Sequence, residues 1–289
     1  NANPSLAALL IHLFKTRFEP GRSHRELDLE AQREMIKKNI DCVKNINEDR
    51  VIRRYLQIIL ATIRTNYYQV DEQGLSKKHF SFKLKSSDVP ELPLPVPLYE
   101  IFVYTARMEG IHLRAAKVSR GGIRWSDRRE DFRTEILSLM KTQQVKNAVI
   151  VPMGAKGGFV LKQIADKITS DEMRAEVIEC YKIFIRGLLD LTDNYQDNRL
   201  VHPLNVVHYD EKDPYLVVAA DKGTATFSDT ANAIAKEYGF WLLDAFASGG
   251  KTGYDHKKLA ITARGAWESV KSHFHGLGFD LQKQKITMI

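Results

Sequence analysis

The spacing of apolar residues divides the chain into a helical first part and a second part in which strands and helices alternate. Before the polar stretch 69–78, apolar residues recur at helical spacing in three segments, which predicts helices over residues 1–18, 30–46 and 49–68. The connection between the second and third helices is so short that we expect an antiparallel pair. We interpret residues 1–78 as a helical segment that leads into the rest of the chain.

From His79 onwards the period of the apolar residues changes to that of β-strands. Phe80, Phe82 and Leu84 alternate with polar residues, and Gly110 lies in the short connection of a predicted hairpin. The predicted strands cover residues 80–84, 98–107, 111–117, 148–153 and 215–220. The predicted helices cover residues 128–145, 170–192 and 256–275, and one more begins near residue 229. This order of elements predicts an α/β (α+β) fold in which a mixed β-sheet is flanked by helices.

One stretch, residues 119–159, combines basic residues with glycines. Arg120 precedes a pair of glycines, and Lys156 lies inside the sequence Gly-Ala-Lys-Gly-Gly; we interpret both places as glycine turns. Lys146 follows the predicted helix between them. A single Lys or Arg is usually a solvated surface charge, and Gly-Ala-Lys-Gly-Gly lacks the spacing of a phosphate loop. The conjunction of three cations nevertheless predicts a site for an anionic ligand such as a dicarboxylate.

Composition narrows the classes of function. The 289 residues carry a formal net charge of +7, but Lys and Arg are interspersed with Asp and Glu and no nucleic-acid motif occurs. We interpret the excess as steering for anionic ligands, or as half of a charge distribution whose acidic complement lies on a part of the protein outside this sequence. No apolar run is long enough for a membrane span. Cys42 and Cys180 have no metal or CxxC spacing, and neither His202 nor His208 has metal-like partners, so we expect a reduced, cytoplasmic protein without a metal site.

The basic stretch resembles the substrate-domain signature of glutamate dehydrogenases. That signature consists of Lys-Gly-Gly-Leu-Arg-Phe, then a helix that ends in Gln-x-x-Lys, then Pro-x-Gly-Gly-x-Lys-Gly-Gly. The version here, Arg-Gly-Gly-Ile-Arg-Trp-Ser-Asp-Arg followed by Val-Lys-Asn-Ala-Val-Ile-Val-Pro-Met-Gly-Ala-Lys-Gly-Gly-Phe, is similar to the very long bacterial NAD-specific glutamate dehydrogenases. Outside this stretch the resemblance continues over the whole chain, with fewer matching residues.

The resemblance implies which residues bind the substrate. Arg120 takes the position of a lysine that contacts the side-chain carboxylate of glutamate, and Gln143 and Lys146 take the positions that hold the α-carboxylate. The arginine at position 120 departs from the family pattern. An arginine fork can grip a carboxylate in bidentate fashion, but it is not interchangeable with lysine.

The resemblance also implies catalytic and cofactor-binding residues. Lys156 matches the catalytic lysine. Asp221 follows the predicted strand 215–220, as the catalytic aspartate of the family follows a strand, although Ala-Ala-Asp replaces the usual Pro-Ala-Pro-Asp; an isolated Asp at such a place is more often a cap or turn residue. Thr252, in Thr-Gly-Tyr, corresponds to a threonine near the nicotinamide, and a loop before a helix is an equally good interpretation of that segment.

The implied activity is the oxidative deamination of L-glutamate to 2-oxoglutarate and ammonia with NAD, by a homo-oligomer in the full-length enzyme. The implied organisation is the helical segment 1–78, a substrate-binding catalytic domain over 79–255, and a connecting helix with the first strand of a truncated dinucleotide-binding domain over 256–289. No Gly-x-Gly-x-x-Gly turn follows the predicted strand 285–289. We therefore expect the Rossmann domain to be absent or truncated and the chain alone to be inactive.

Two other functions remain open at this point. The first is a related amino-acid dehydrogenase whose substrates have apolar side chains. Such an enzyme needs to bind only the α-carboxylate, so a cation at Arg120 that contacts the substrate would favour glutamate. A non-catalytic binder of anions or nucleic acid would use the same basic residues, and it predicts affinity for polyanions with a steep salt dependence.

Overall fold

The computed structural model describes residues 3–146, 153–163, 169–251, 259–281 and 283. These residues form seven α-helices and ten β-strands. They group into two compact units, Asn1–Ser248 and Gly249–Ile289. The boundaries predicted at residues 78 and 255 stay predictions.

Three helices open the chain, as the apolar spacing predicts, but the second begins at Arg25 and ends at Ile40 instead of covering the predicted range 30–46. Helix α1 covers Pro4–Phe18, α2 covers Arg25–Ile40 and α3 covers Ile46–Ala61. They enclose a core of their own. Its buried members are Leu6, Leu10, Leu13, Leu29, Ile36 and Ile40.

The third predicted helix was wrong beyond Ala61, because the chain turns there into a strand. Strand β1 covers Thr62–Thr65, is buried throughout and pairs antiparallel with β2, Phe80–Lys85. Three of its four residues are β-branched, a residue type that fits a pleated surface better than a helix. The N-terminal segment thus contributes the first strand of the sheet.

The main sheet has eight strands and is mixed, as predicted. Its remaining strands are β3 (Tyr99–Tyr104), β4 (Met108–Arg114), β5 (Arg120–Trp125), β6 (Ala155–Leu161), β9 (Val217–Ala219) and β10 (Ala247–Ser248). The spatial order is β1-β2-β3-β4-β6-β5-β9-β10. Pairing is antiparallel from β1 to β6 and parallel from β6 through β5 and β9 to β10. Strands β7 (Asn194–Gln196) and β8 (Arg199–Val201) form a separate hairpin.

The two predicted glycine turns were wrong: both places are strands. Gly121 lies in β5 and Gly158 lies in β6, and neither has a positive φ. Both are crowded instead. A Cβ on Gly121 would be 1.5 Å from the carbonyl oxygen of Ala155, and a Cβ on Gly158 would be 2.3 Å from Ile136 Cδ1. These glycines are required for close approach to neighbouring elements rather than for a turn.

Helices cover both faces of the sheet. Helix α4 (Phe132–Lys146) packs through Phe132, Ile136 and Met140 on the face that contains Val160. Helices α5 (Ser170–Leu189) and α6 (Ser228–Glu237) pack on the face that contains Phe159. Because consecutive strand residues point to opposite faces, these are two separate cores. The predicted helix near residues 128–145 is confirmed, but it begins at Phe132.

A buried network of charges ties three strands of the sheet to the residue that precedes β7 and to the loop that precedes β9. Its cations are Arg64, Lys83 and Arg114, from β1, β2 and β4, and its acids are Asp193, Asp210 and Asp213. Arg64 Nη1 lies 2.5 Å from Asp193 Oδ1 and Lys83 Nζ lies 2.6 Å from Asp213 Oδ2. Each buried charge has a partner of opposite sign, which is the condition for keeping it charged inside a protein.

The second unit contains helix α7, Ile261–Gly276. It confirms the helix predicted over 256–275 but begins at Ile261. The predicted strands 148–153 and 285–289 lie outside the described residues, except that Met153 is described as part of a bend. In the part of the chain that the structure describes, no helix is both long and apolar enough to cross a membrane.

Candidate active site

Lys156 and Asp221 form an ion pair across strand β5. Lys156 is the second residue of β6, Asp221 lies two residues after the end of β9, and β5 runs between these strands. The ammonium contacts Asp221 Oδ2, and the side chains of Lys156 and Asp221 are only 13% and 16% exposed. The two residues expected to be catalytic are therefore in direct contact.

A second cation contacts the same carboxylate. Nη2 of Arg124, on β5, lies 3.3 Å from Asp221 Oδ1, and its Nη1 lies 2.8 Å from Glu135 Oε1 on α4. Sequence reasoning assigned no role to Arg124, although it stands in the quoted Gly-Gly-Ile-Arg-Trp motif. Its spacing of four from Arg120 would have placed both on one face of a strand, but a turn was expected at that place.

The surroundings of Asp221 favour its charged form. Burial opposes ionisation of this carboxyl, but Lys156, the backbone N–H of Lys222 and the Arg124 guanidinium together outweigh burial, so that the pKa of Asp221 is lowered. The Lys222 N–H donates to Asp221 Oδ1 over 2.7 Å. Thr224 Oγ1 accepts from the Asp221 N–H and donates to the Ile123 carbonyl, which fixes the turn to β5.

Arg120 and Gln143 meet at the start of β5. Gln143 Nε2, in the last turn of α4, donates to the Arg120 carbonyl over 2.7 Å. Gln143 Oε1 is buried and accepts no hydrogen bond from the described residues. The Arg120 side chain is exposed, and no acid in the described ranges pairs with it. A guanidinium without an acidic partner is available to a carboxylate ligand.

Of the other two predicted site residues, the structure describes the backbone of one and no part of the other. Lys146 is the last residue of α4, and its side chain lies outside the described part. Thr252 lies outside the described residues altogether. The structure therefore brings together Lys156 with Asp221 and Arg120 with Gln143. It adds Arg124, rather than one of the predicted cations, as the second positive charge on Asp221.

This arrangement can perform acid–base chemistry. An ammonium and a carboxylate in contact can pass a proton between them and a bound substrate, and cations nearby stabilise anionic groups. Among the described residues, no group of three or more His, Cys, Asp or Glu side chains could hold a metal ion.

Comparison with known proteins gives consistent matches. Residues 35–289 match the family model described as bacterial NAD-glutamate dehydrogenase, catalytic domain. The chain is 59% identical over 293 residues to the NAD-specific glutamate dehydrogenase of Pseudomonas aeruginosa and 51% identical over 303 residues to that of Mycobacterium tuberculosis. Both matches cover 100% of this chain but only 18% of the relative, so the chain spans less than a fifth of their length.

Solved structures give a weaker likeness. A crystal structure of glutamate dehydrogenase from Peptoniphilus asaccharolyticus aligns with a TM-score of 0.38 and 14% identity, over 94% of this chain and 51% of that chain.

Proposed function

The chain belongs to the family of the bacterial NAD-glutamate dehydrogenase catalytic domain, and we propose on that basis that it is the substrate-binding catalytic region of an NAD-dependent glutamate dehydrogenase. The resemblance carried by residues 119–159 is thereby confirmed. The proposed reaction is the oxidative deamination of L-glutamate to 2-oxoglutarate and ammonia.

The observation that carries the proposal is the Lys156–Asp221 pair. The family motifs alone assign both residues, and their side chains meet although Lys156 lies on β6 and Asp221 lies in the turn after β9. In the proposed mechanism Lys156 activates the attacking water and stabilises the oxygen of the carbinolamine. Asp221, ionised at neutral pH, accepts a proton from the substrate nitrogen and returns it.

Substrate recognition is assigned to the other end of the site. We propose that Arg120 binds the side-chain carboxylate and that Gln143 and Lys146 bind the α-carboxylate. The exposed Arg120 guanidinium, which has no acidic partner in the described part, supports the first role. The position of Gln143 against the Arg120 carbonyl supports the second, because it places the amide beside the same strand.

NAD would supply the hydride acceptor when bound. No described strand leads through a Gly-x-Gly-x-x-Gly turn into a helix, the arrangement that seats a dinucleotide pyrophosphate. The described residues thus do not themselves provide that site, and Thr252 remains a proposed nicotinamide contact. A homo-oligomer and a cytoplasmic location are also part of the proposal, and the two free cysteines support a reducing compartment.

The test is the formation of NADH by the full-length protein with L-glutamate, compared with an apolar amino acid such as norvaline. Glutamate should react with far higher kcat/KM. A preference for norvaline would replace the proposal with a related amino-acid dehydrogenase. Absence of turnover together with salt-sensitive binding of heparin would favour the non-catalytic binder.

A further inference from the structure

Arg124 links the Lys156–Asp221 pair to helix α4. Its guanidinium lies between two carboxylates: Nη2 is 3.3 Å from Asp221 Oδ1 and Nη1 is 2.8 Å from Glu135 Oε1. The Arg124 side chain is only 20% exposed. A planar guanidinium held by an acid on each side has little freedom to turn.

The α4 side of this link is held independently of Asp221. Ser126 Oγ donates to Glu135 Oε2 over 2.5 Å and accepts from the Arg128 N–H over 3.1 Å. Glu135 therefore has one oxygen for Arg124 and the other for Ser126. Arg124 would keep its orientation even if Asp221 moved.

The charges around Asp221 come from three directions. Lys156 faces it from β6, Arg124 faces it from β5, and the Lys222 N–H faces it from its own turn, while Glu135 on α4 lies behind Arg124. An arginine does not lose its proton in proteins, whereas a lysine that takes part in acid–base chemistry does. Arg124 is therefore the positive charge that remains beside Asp221 when Lys156 is neutral.

We propose that Arg124 is a positioning residue for Asp221, and that Glu135 and Ser126 hold Arg124 in the orientation that this requires. The inference rests on the proposed function. Arg124 keeps the Asp221 carboxylate directed at Lys156 and ionised through every protonation state of Lys156. Without Arg124, the carboxylate keeps one cationic partner, and it loses that partner each time Lys156 gives up its proton.

The first test is the pH profile of glutamate oxidation by the full-length protein. Arg124→Met should lower kcat on the order of tenfold to a hundredfold, because misdirected catalytic groups cost that much. It should also move the acidic limb of kcat/KM to higher pH by about one unit, since loss of a neighbouring cation favours the protonated carboxyl. Arg124→Lys keeps the positive charge but not the planar guanidinium with its two parallel N–H donors. It should therefore return the acidic limb of the pH profile to its wild-type position but recover only part of the lost kcat.

Glu135→Gln tests the α4 side and preserves the shape of the site. It should lower kcat as Arg124→Met does but by less, and it should not move the acidic limb to higher pH because it removes an anion rather than a cation. The double variant should lose no more kcat than Arg124→Met alone. Arg128→Met is the matched control, because Arg128 lies on the same segment and pairs with the exposed Asp131 instead. If Arg124→Met does not fold, Glu135→Gln still decides the question.

The second test needs neither substrate nor cofactor. A water-soluble carbodiimide with an amine labels protonated carboxyls, and peptide mass spectrometry measures the labelling of Asp221 at a series of pH values. Labelling should rise several-fold in Arg124→Met and stay at the wild-type level in Arg128→Met. An unmoved acidic limb with unchanged labelling in Arg124→Met would overturn the inference, even if kcat fell. A wild-type protein that does not oxidise glutamate would overturn the proposed function, and the labelling would still decide the role of Arg124.

Discussion

Gly122 leaves room for Asp221 where β5 lies beside the end of β9. A Cβ on Gly122 would be 3.0 Å from Asp221 Cβ and 2.8 Å from the Ala220 carbonyl oxygen. Gly122 pairs with Ala219 in the parallel register, so the chain that carries Asp221 passes directly beside it. The lack of a side chain at position 122 therefore sets how closely Asp221 approaches β5 and Lys156.

We expect Gly122→Ala to displace Asp221 and to lower turnover on the order of tenfold or more, since small misplacements of catalytic groups are costly. The neighbour is a backbone carbonyl, which cannot rotate away as the end of a side chain can. Gly265→Ala is the control, because a Cβ at that position in α7 meets nothing within 4 Å. Steady-state kinetics of both variants are the measurement, and wild-type kcat in Gly122→Ala would contradict the role given to Gly122.

Asp221→Asn should separate binding from turnover. The amide is nearly isosteric but cannot accept a proton, so kcat should fall by roughly a hundredfold to ten-thousandfold. The affinity for 2-oxoglutarate, measured by calorimetry, should stay close to that of the wild type. Asp131→Asn, at an exposed pair with Arg128, is the control. A parallel loss of binding and turnover would indicate a structural role for Asp221.

Lys156→Ala should abolish turnover with a loss on the order of a hundredfold or more, as for other removed acid–base groups. It also leaves Asp221 with Arg124 as its remaining cationic side-chain partner among the described residues. Circular dichroism should show an unchanged fold. Near-normal turnover in this variant would remove Lys156 from the mechanism.

The elements could be predicted because their patterns are local, whereas the site depended on distant residues. The hairpin β3–β4 and helix α5 follow from the apolar spacing within each segment. The connection of the hairpin was misplaced, because it lies at residues 105–107 and Gly110 belongs to β4. Two adjacent glycines can indicate a turn or a crowded strand, and the choice at Gly121 depends on Ala155, which approaches it only in the fold. The sequence therefore identified the cations and glycines but misassigned the backbone that carries them.

Arg124 was missed for the same reason. Its partners lie 11 and 97 positions away along the chain, at Glu135 and Asp221. The spacing of residues within the motif does not predict contacts between residues that are so far apart in the sequence. Lys156 and Asp221 could be assigned only because a family motif already carries the long-range information that a single sequence lacks.

The buried charge network inverts the expected faces of β2. Phe80, Phe82 and Leu84 alternate with polar residues as predicted, but the intervening Ser81 and Lys83 are buried and Phe80 is exposed. Lys83 is accommodated because Asp210 and Asp213 face it. The alternation of a strand can thus be predicted from its sequence. Which of its two faces is buried depends on acidic residues that are distant in the sequence.

Asp213 should be the most sensitive member of this network. Burial opposes its charge, but Arg114 and Lys83 outweigh burial and lower its pKa to about 2. The ordinary value in an unfolded chain is about 4, so the native state gains stability from the ionised form above that pH and loses it as the pH falls from about 4 towards 2. Asp213→Asn should cost about 3–5 kcal/mol at pH 7, because it leaves Arg114 without an acidic partner among the described residues and Lys83 with Asp210 alone.

The measurement is thermal unfolding followed by circular dichroism at pH 7 and at pH 3. The difference between Asp213→Asn and the wild type should be smaller at pH 3, because the unfolded wild-type chain already binds a proton at this carboxyl while the folded protein, in which the pKa of Asp213 is about 2, does not. Glu211→Gln, at an exposed pair with Lys117, should leave unfolding unchanged at both values. An equal cost at both pH values would mean that charge does not underlie the contribution of Asp213.

Arg120→Ala tests which end of the substrate this residue binds. Only glutamate presents a second carboxylate, so its kcat/KM should fall far more than that of norvaline, by roughly tenfold to a hundredfold if the lost contact is a charge-assisted hydrogen bond of about 1.5–3 kcal/mol. Arg120→Lys should recover part of the loss, because lysine keeps the charge but not the fork. Arg129→Ala removes another exposed arginine, in the segment between β5 and α4, and should change kcat/KM for neither substrate. Equal losses for glutamate and norvaline would place Arg120 away from the side-chain carboxylate and assign it to the α-carboxylate or to the fold.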